Sequence, residues 1–336
     1  MNRIVNGLIV FAIITCGSGI SASAQVDPCK WWATGVVQPF PAGYSSATCF
    51  YAIYSFNSYA CYSYSCPPPA AKIETCPTCP HGGSPISLVS GNTFIEENDV
   101  NVPGLSNGLK LTRIWISKWP STQTAFQTGL FGLNWRSTYE ERIFMGSDNY
   151  VKYARSDGSF WSFGGAGSLY LIAPANVPAT LTTDSGFTQW ILKFQNGEQR
   201  IFNYVSGSLT AIIDRNGNTT QLSYDGINRL VTVADPGGRH LYFSYANNTS
   251  YLITGVTSDV GISLSYSYDS QGRLIQITEP DLTTLSFAYN SNSLITSVTD
   301  SNGKVLESHT YDSEGRGLTS SRANSVEAVT VSYSNP

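Results

Sequence analysis

Leu264-Ser-Tyr-Ser-Tyr268-Asp-Ser-Gln-Gly-Arg-Leu274 carries a complete structural device in one short run. Leu264, Tyr266 and Tyr268 alternate with serines, and a period of two is the pattern of a β-strand with one buried face. Asp269 to Gly272 then reads as a turn. An Asp at the first position accepts hydrogen bonds from turn amides, and a Gly at the fourth adopts positive φ. Arg273 and Leu274 open the return strand of a hairpin whose loop is roughly three to five residues long.

The device recurs on both sides. Tyr204, Tyr224, Tyr245, Tyr268, Tyr289, Tyr311 and Tyr333 follow one another at steps of 20, 21, 23, 21, 22 and 22 residues. So regular a step marks a repeat array with a unit of about 22 residues. Leu241-Tyr-Phe-Ser-Tyr245 and Leu285-Ser-Phe-Ala-Tyr289 predict further strands, each closed by its tyrosine. D-x-x-G turns return at Asp214, Asp235, Asp300 and Asp312, and Asp225-Gly-Ile-Asn228 has Asn in the glycine place. Arg229-Leu230 and Lys304-Val305 open return strands in the same way. Tyr289-Asn290 reads as the weakest unit, because no D-x-x-G follows until Asp300.

Y-D-x-x-G-R-L at this spacing resembles the YD repeat of Rhs and teneurin-like proteins. The residues that carry the resemblance are Tyr224, Asp225 and Arg229, then Tyr268, Asp269, Gly272 and Arg273, then Tyr311, Asp312, Gly315 and Arg316. A second resemblance lies upstream. Gly91-Asn92-Thr-Phe, Leu109-Lys-Leu-Thr-Arg113 and the run from Gly129 through Trp135 to Arg142 are similar to the domain of unknown function that precedes Rhs repeats. Leu133-Asn134 stands where that pattern has Pro-Gly. Together the resemblances imply the wall of a hollow shell, which in that family encloses a C-terminal toxin. No toxin domain is read after the repeats, and nothing matches the family's core-ending motif with its self-cleaving aspartates.

Composition agrees with an all-β chain working outside the cytoplasm. Charged residues make up 12%, about half the usual share. The net charge is −4, and −5 without Arg3 (18 basic against 23 acidic residues). No basic run or basic-aromatic face is present, which argues against nucleic acid as a partner. Residues 1–24 read as a secretory signal peptide: Arg3, an apolar run from Leu8 to Ile14, and Ala22-Ser-Ala24 before Gln25. After its removal no stretch is long and apolar enough to span a bilayer.

The predicted organisation is a signal peptide at 1–24, a Cys-, Pro- and aromatic-rich segment at 25–85, a β domain at 86–200 and the repeat array at 201–336. The second segment holds Cys29, Cys49, Cys61, Cys66, Cys76 and Cys79. An even count in an exported chain favours three disulfides of open connectivity. The competing readings are zinc held by Cys61, Cys66, Cys76 and Cys79, and a redox pair at Cys76-Pro-Thr-Cys79. The aromatics around them, Trp31 and Trp32 among them, read first as a small core stapled by cross-links and second as a glycan or peptide contact.

Between 86 and 200 the strand candidates are Leu109 to Ile116, Arg136 to Phe144, Tyr150 to Ala154, Ser159 to Phe163 and Thr188 to Phe194. No amphipathic helix of three turns is evident. The expected architecture is thus a continuous antiparallel ribbon of hairpins that coils. Catalysis finds no support: His81, His240 and His309 lie in no nucleophile or metal pattern, and the last two read as satisfied or exposed strand positions. Glu96-Glu97 and Glu140-Glu141 do not form an acid pair, since neighbours on a strand face opposite ways. No cofactor is implied.

The reading is a secreted or cell-surface structural protein; the alternative is an adhesion or carbohydrate-binding protein with a glycan ligand. The rhythm calls for a further strand after Tyr333, so a partner protein or further repeats are expected to complete the edge. The expectation is accordingly that the chain is a fragment of a longer product or that something else completes the edge.

Overall fold

The computed structural model describes residues 54–55, 58–59, 81–82, 86–88, 90–119, 126–146, 150–164, 171, 173, 177–323 and 326–333. The signal-peptide expectation and all six cysteines lie outside them. Within them the chain is antiparallel β, with one short 3₁₀ turn at Leu105–Asn107 and no α-helix. Two short pairs come first: β1 (Tyr54–Ser55) with β2 (Ser58–Tyr59), and β3 (His81–Gly82) with β4 (Ile86–Ser87).

An upstream layer follows. β5 (Phe94–Val102) and β6 (Leu109–Ile116) form a long hairpin. β7 (Thr128–Gly129) pairs with β8 (Gly132–Leu133), and β9 (Trp135–Ser137) joins the far side of β6. β10 (Arg142–Met145), β11 (Val151–Ala154) and β12 (Phe160–Phe163) make a separate meander.

The single strand expected from Arg136 to Phe144 is therefore two. Thr138 folds its backbone amide and its hydroxyl back onto Thr112, and the Glu140 amide closes a turn on the Ser137 carbonyl at 3.1 Å. Asn134, where the related pattern has Gly, supplies the left-handed backbone itself at φ 64°, a conformation Asn tolerates better than most residues.

Fifteen strands then follow one another without a crossover. They are β13 (Ala179–Thr183), β14 (Gln189–Phe194), β15 (Gln199–Asn203), β16 (Leu209–Ile213), β17 (Thr219–Tyr224), β18 (Leu230–Ala234), β19 (His240–Tyr245) and β20 (Ile253–Ser258). β21 (Ser263–Tyr268), β22 (Leu274–Thr278), β23 (Thr284–Tyr289), β24 (Ile295–Asp300), β25 (Val305–Tyr311), β26 (Gly317–Arg322) and β27 (Val326–Thr330) complete the sheet. It is open at β13 and at β27 and does not close into a barrel. It also extends upstream of residue 201, to Ala179.

Strict alternation describes only half of these strands. The outgoing strands are buried at every second residue, as at Leu241 and Phe243 or Leu264 and Tyr266. The return strands are buried at every third: Leu230 and Val233, Ile253 and Val256, Leu274 and Ile277, Ile295 and Val298. The cause is a β-bulge in each unit. The register shifts immediately before Phe202, Tyr224, Tyr245, Tyr268, Tyr289 and Tyr311, and one residue of the return strand drops out of the pairing. A bulge re-aims the side chains around it.

Phe202, and not Tyr204, holds the first rung of the resulting ladder: it pairs with Leu209 across the same shift that sets Tyr224 against Leu230. Tyr204 lies beyond the end of β15, stacked on Trp190 with ring centroids 5.0 Å apart.

Candidate functional site

The turns divide between two rims. At one rim Tyr224, Tyr268, Tyr289 and Tyr311 are followed by turns led by Asp225, Asp269, Asn290 and Asp312, while Tyr245 runs into a longer loop; at the other rim the leaders are Asp214, Asp235, Ser258, Glu279 and Asp300. Asp269 shows the working of the device. Its Oδ1 accepts from the amides of Gln271 (2.9 Å) and Arg273 (3.0 Å), and its Oδ2 accepts from Arg273 Nε at 2.6 Å. Asp225 and Asp312 hold Arg229 and Arg316 in the same way. Burial raises the carboxyls of Asp269 and Asp312 more than any one contact lowers them, and opposes the hydrogen bonds of Asp225 as well, but the turn amides and the arginine together outweigh it and hold all three below the ordinary carboxylate range. Asn228, Gly272 and Gly315 take the left-handed pivot at φ 65°, 73° and 75°.

The unit expected to be weakest closes equally well. Asn290 accepts from the amides of Asn292 and Leu294 at 3.0 Å each, because an amide oxygen serves the turn as a carboxylate does.

Each tyrosine is clamped by the hairpin before it. Tyr224, Tyr245, Tyr268, Tyr289, Tyr311 and Tyr333 donate their hydroxyls to the carbonyls of Leu209, Leu230, Ile253, Leu274, Ile295 and Gly317 at 2.6–2.8 Å. Every second clamp adds a cation. Arg229, Arg273 and Arg316 lie over the rings of Tyr245, Tyr289 and Tyr333 at 4.4, 4.9 and 4.4 Å. Those arginines recur at 44 and 43 residues, so the full chemical period spans two hairpins.

The upstream layer covers the sheet's apolar face with an aromatic opposite each of several hairpins. Tyr153 meets Phe202, Tyr139 meets Phe243, Phe131 meets Tyr266, Trp135 meets Phe287 and Trp115 meets Tyr311, mostly edge to face with centroids 4.9–6.5 Å apart. The wall implied by the resemblance is thus not bare on this side. Gly91 and Asn92 dock against the last hairpins: the Gly317 amide donates to the Gly91 carbonyl at 2.8 Å, and Asn92 Oδ1 accepts from Ser117 Oγ and the Lys118 amide. A side chain at position 91 would meet Arg316 Cβ at 2.8 Å and Tyr333 Oη at 2.9 Å.

Arg113 is the polar centre of this seam. It occupies the inward row of β6 between Leu111 and Trp115 and is fully buried. Asp99 is the bulged residue of β5, turned inward where the register slips between Asn98 and Val100. Arg113 donates to both Asp99 oxygens, Nη2 at 2.8 Å, and Tyr266 Oη donates to Asp99 at 2.7 Å. The Trp135 ring lies 4.6 Å from the guanidinium. Burial alone lowers the affinity of Arg113 for its proton, but Asp99 more than reverses that. Burial pushes the neighbouring Glu97 carboxyl up to about 7, with Arg113 opposing and Asp99, Glu307 and Glu279 adding to the rise.

His309 takes the place that Phe243, Tyr266 and Phe287 hold two residues before their ladder tyrosines. It is buried at 3% exposure, with neither ring nitrogen hydrogen-bonded and Glu307 at 3.5 Å. It is therefore neither exposed nor fully satisfied. His240 pairs with Asp259 at 2.9 Å.

Arg142 and Glu140 line a cavity of about 370 Å³ between the upstream layer and the ladder rim, with Arg136, Tyr139, Ser208, Tyr224, Asn228 and Tyr251 also in its wall. Glu140 Oε1 accepts from the Leu130 amide at 2.6 Å and lies 3.9 Å from Arg136. Glu141 turns the other way, to Tyr153 Oη at 2.8 Å and Arg200 at 3.3 Å. Burial raises both carboxyls, Arg136 and Arg200 respectively opposing it. Burial also pulls Arg136 down to about 10, Glu140 opposing and Arg142 adding to the fall. Among the described residues no group of three or more His, Cys, Asp or Glu side chains is arranged to hold a metal ion.

Hairpins joined rung to rung and sealed by a second layer define a repeat-built wall, and its chemistry is structural. Residues 190–325 match the Teneurin YD-shell family and residues 83–163 match DUF6531, a domain of unknown function. The chain therefore carries a YD-repeat region of the Rhs and teneurin-like type, with the associated upstream domain before it. It is 27% identical over 242 residues to the tRNA nuclease WapA of Bacillus subtilis strain 168, a match covering 72% of this chain and 9% of the relative. The chain thus spans less than a tenth of the length of the curated relatives it matches. Similar solved chains occur in TcdB2-TccC3 (13% identity, 68% of this chain and 15% of that one, TM-score 0.31) and in the Tc holotoxin pore of Photorhabdus luminescens (11%, 64% and 13%, TM-score 0.25).

Proposed function

We propose that the chain is a non-enzymatic section of shell wall, exported from the cytoplasm, whose open sheet ends are completed by further wall or by a partner protein. The observation that carries this reading is the aromatic seam from Phe202 to Tyr311, which makes the upstream layer and the sheet one body while, among the described residues, β13 and β27 keep unpaired outer edges. Val326 on β27 is 56% exposed, and an unpaired edge strand is a template for another strand. The signal peptide at 1–24 and the disulfides among the six cysteines belong to the same proposal. Among the described residues no helix is long and apolar enough to cross a membrane.

In the alternative, an adhesin, the strand aromatics would form the contact surface. The ladder hydroxyls are already engaged in clamps and the second aromatic row faces the upstream layer, so the wall reading is favoured. Fractionation of the native host, combined with photo-crosslinking from position 326, tests it. Recovery outside the cytoplasm with crosslinks to another β-rich polypeptide supports the reading. A cytoplasmic protein with no crosslinked partner overturns it.

A further inference from the structure

The cavity beside Arg142 has a charge imbalance that the wall does not need. Arg136 and Arg142 both line it, and of the two acids in its lining only Glu140 faces them, because Glu141 is taken by Tyr153 and Arg200. Arg142 has no carboxylate partner among the described residues. Its Nη2 donates to the Ser206 carbonyl at 3.0 Å, its guanidinium lies 5.0 Å from the Phe126 ring centroid, and its buried Nε has no hydrogen-bond partner. An unpaired donor on a mostly buried cation is costly. A guanidinium lacking an anion beside an open volume is the arrangement of a binding site.

The chemistry narrows the occupant. Two cations against one carboxylate leave one positive charge, which a monoanion balances. A planar carboxylate matches the guanidinium fork. The rest of the wall is largely aromatic and aliphatic, and the volume falls in the range of small-molecule sites, roughly 300–1,000 Å³. We propose that this cavity binds a small monocarboxylate, its carboxylate against Arg142 and its apolar body among Tyr139, Ile227, Leu230 and Tyr251. Neither family match assigns a ligand here, and the site is independent of what completes the sheet edges.

Benzoate is a suitable probe and benzamide its neutral isostere. Calorimetric titration of the full chain at constant chloride is expected to show saturable benzoate binding, with benzamide weaker by about tenfold or more, the worth of a charge-assisted hydrogen bond. Arg142→Gln is expected to abolish the difference between the two. Ile227→Trp, at a half-exposed turn position over the cavity, is expected to block both while leaving the circular dichroism spectrum unchanged, and it decides the matter if Arg142→Gln does not fold. No saturable binding at millimolar benzoate, equal affinity for the two probes, or benzoate binding indifferent to Ile227→Trp would each overturn the proposal.

Discussion

Tyr289 donates its hydroxyl to the carbonyl of Leu274 at 2.7 Å while Arg273, the residue before that carbonyl, lies over its ring. One dipeptide therefore grips the tyrosine of the next hairpin through two different interactions. Replacing Tyr289 by Phe removes the hydrogen bond and strands the carbonyl of the fully buried Leu274. The expected loss is about 1–2 kcal/mol, read from chemical denaturation. Tyr204→Phe is the contrast: its hydroxyl makes no hydrogen bond among the described residues, so the change is expected to stay within about 0.5 kcal/mol.

Leu282 occupies a left-handed pivot at φ 68° that glycine fills in most of the other turns, and its side chain is 79% exposed. Substituting Gly relieves backbone strain without costing buried surface. Leu282→Gly is expected to raise stability by about 1 kcal/mol, visible as a higher midpoint in urea.

Asp99 and Arg113 form a buried pair whose value lies in being complete. Asp99→Ala leaves a fully buried cation without its anion, and a loss of about 3–5 kcal/mol is expected. Replacing both, as Asp99→Leu with Arg113→Met, is expected to recover most of it. A double variant no more stable than Asp99→Ala would show that the pair acts through something other than its charge.

Glu97 gives the seam a pH dependence. Its folded pKa, about 7, lies above the ordinary value of 4.5, so the native state binds the proton more tightly than the unfolded chain. The contribution is fully present below about pH 4.5 and is lost as pH rises through about 7. Glu97→Gln keeps the neutral form at every pH. The variant is expected to melt higher than the parent at pH 8, by about 2 kcal/mol after allowance for partial exposure, and the gap is expected to close toward pH 5.

Much of the wall was legible because its unit is local. Strand, Asp-led turn, pivot and basic residue all fall within the run from Leu264 to Leu274, and short-range patterns report short-range structure. The bulge also left a trace, the three-residue spacing from Leu230 to Val233 and its equivalents, but a search for period two passes over it. Tyr204 reads as a rung by residue type alone, whereas register sets the rung; Phe202 has the register without the hydroxyl. The cavity was hidden for a different reason. Glu140 and Arg142 lie just after a turn that alternation reads straight through, and their surroundings come from Tyr224, Asn228 and Tyr251, more than 80 residues away. Asp99 was invisible in the same sense: only a slipped register turns it toward Arg113.

The recurring bulge makes the molecule behave like the courses of an arch. Each return strand carries one surplus residue at the tyrosine rim, so each hairpin is a wedge slightly wider on that side, and a bulge adds bend and right-handed twist where it falls. Wedges laid in the same sense add in phase. The radius of any vault this chain contributes to is then set by how regularly the surplus residue recurs, and a unit lacking it would open a flat course in the curve.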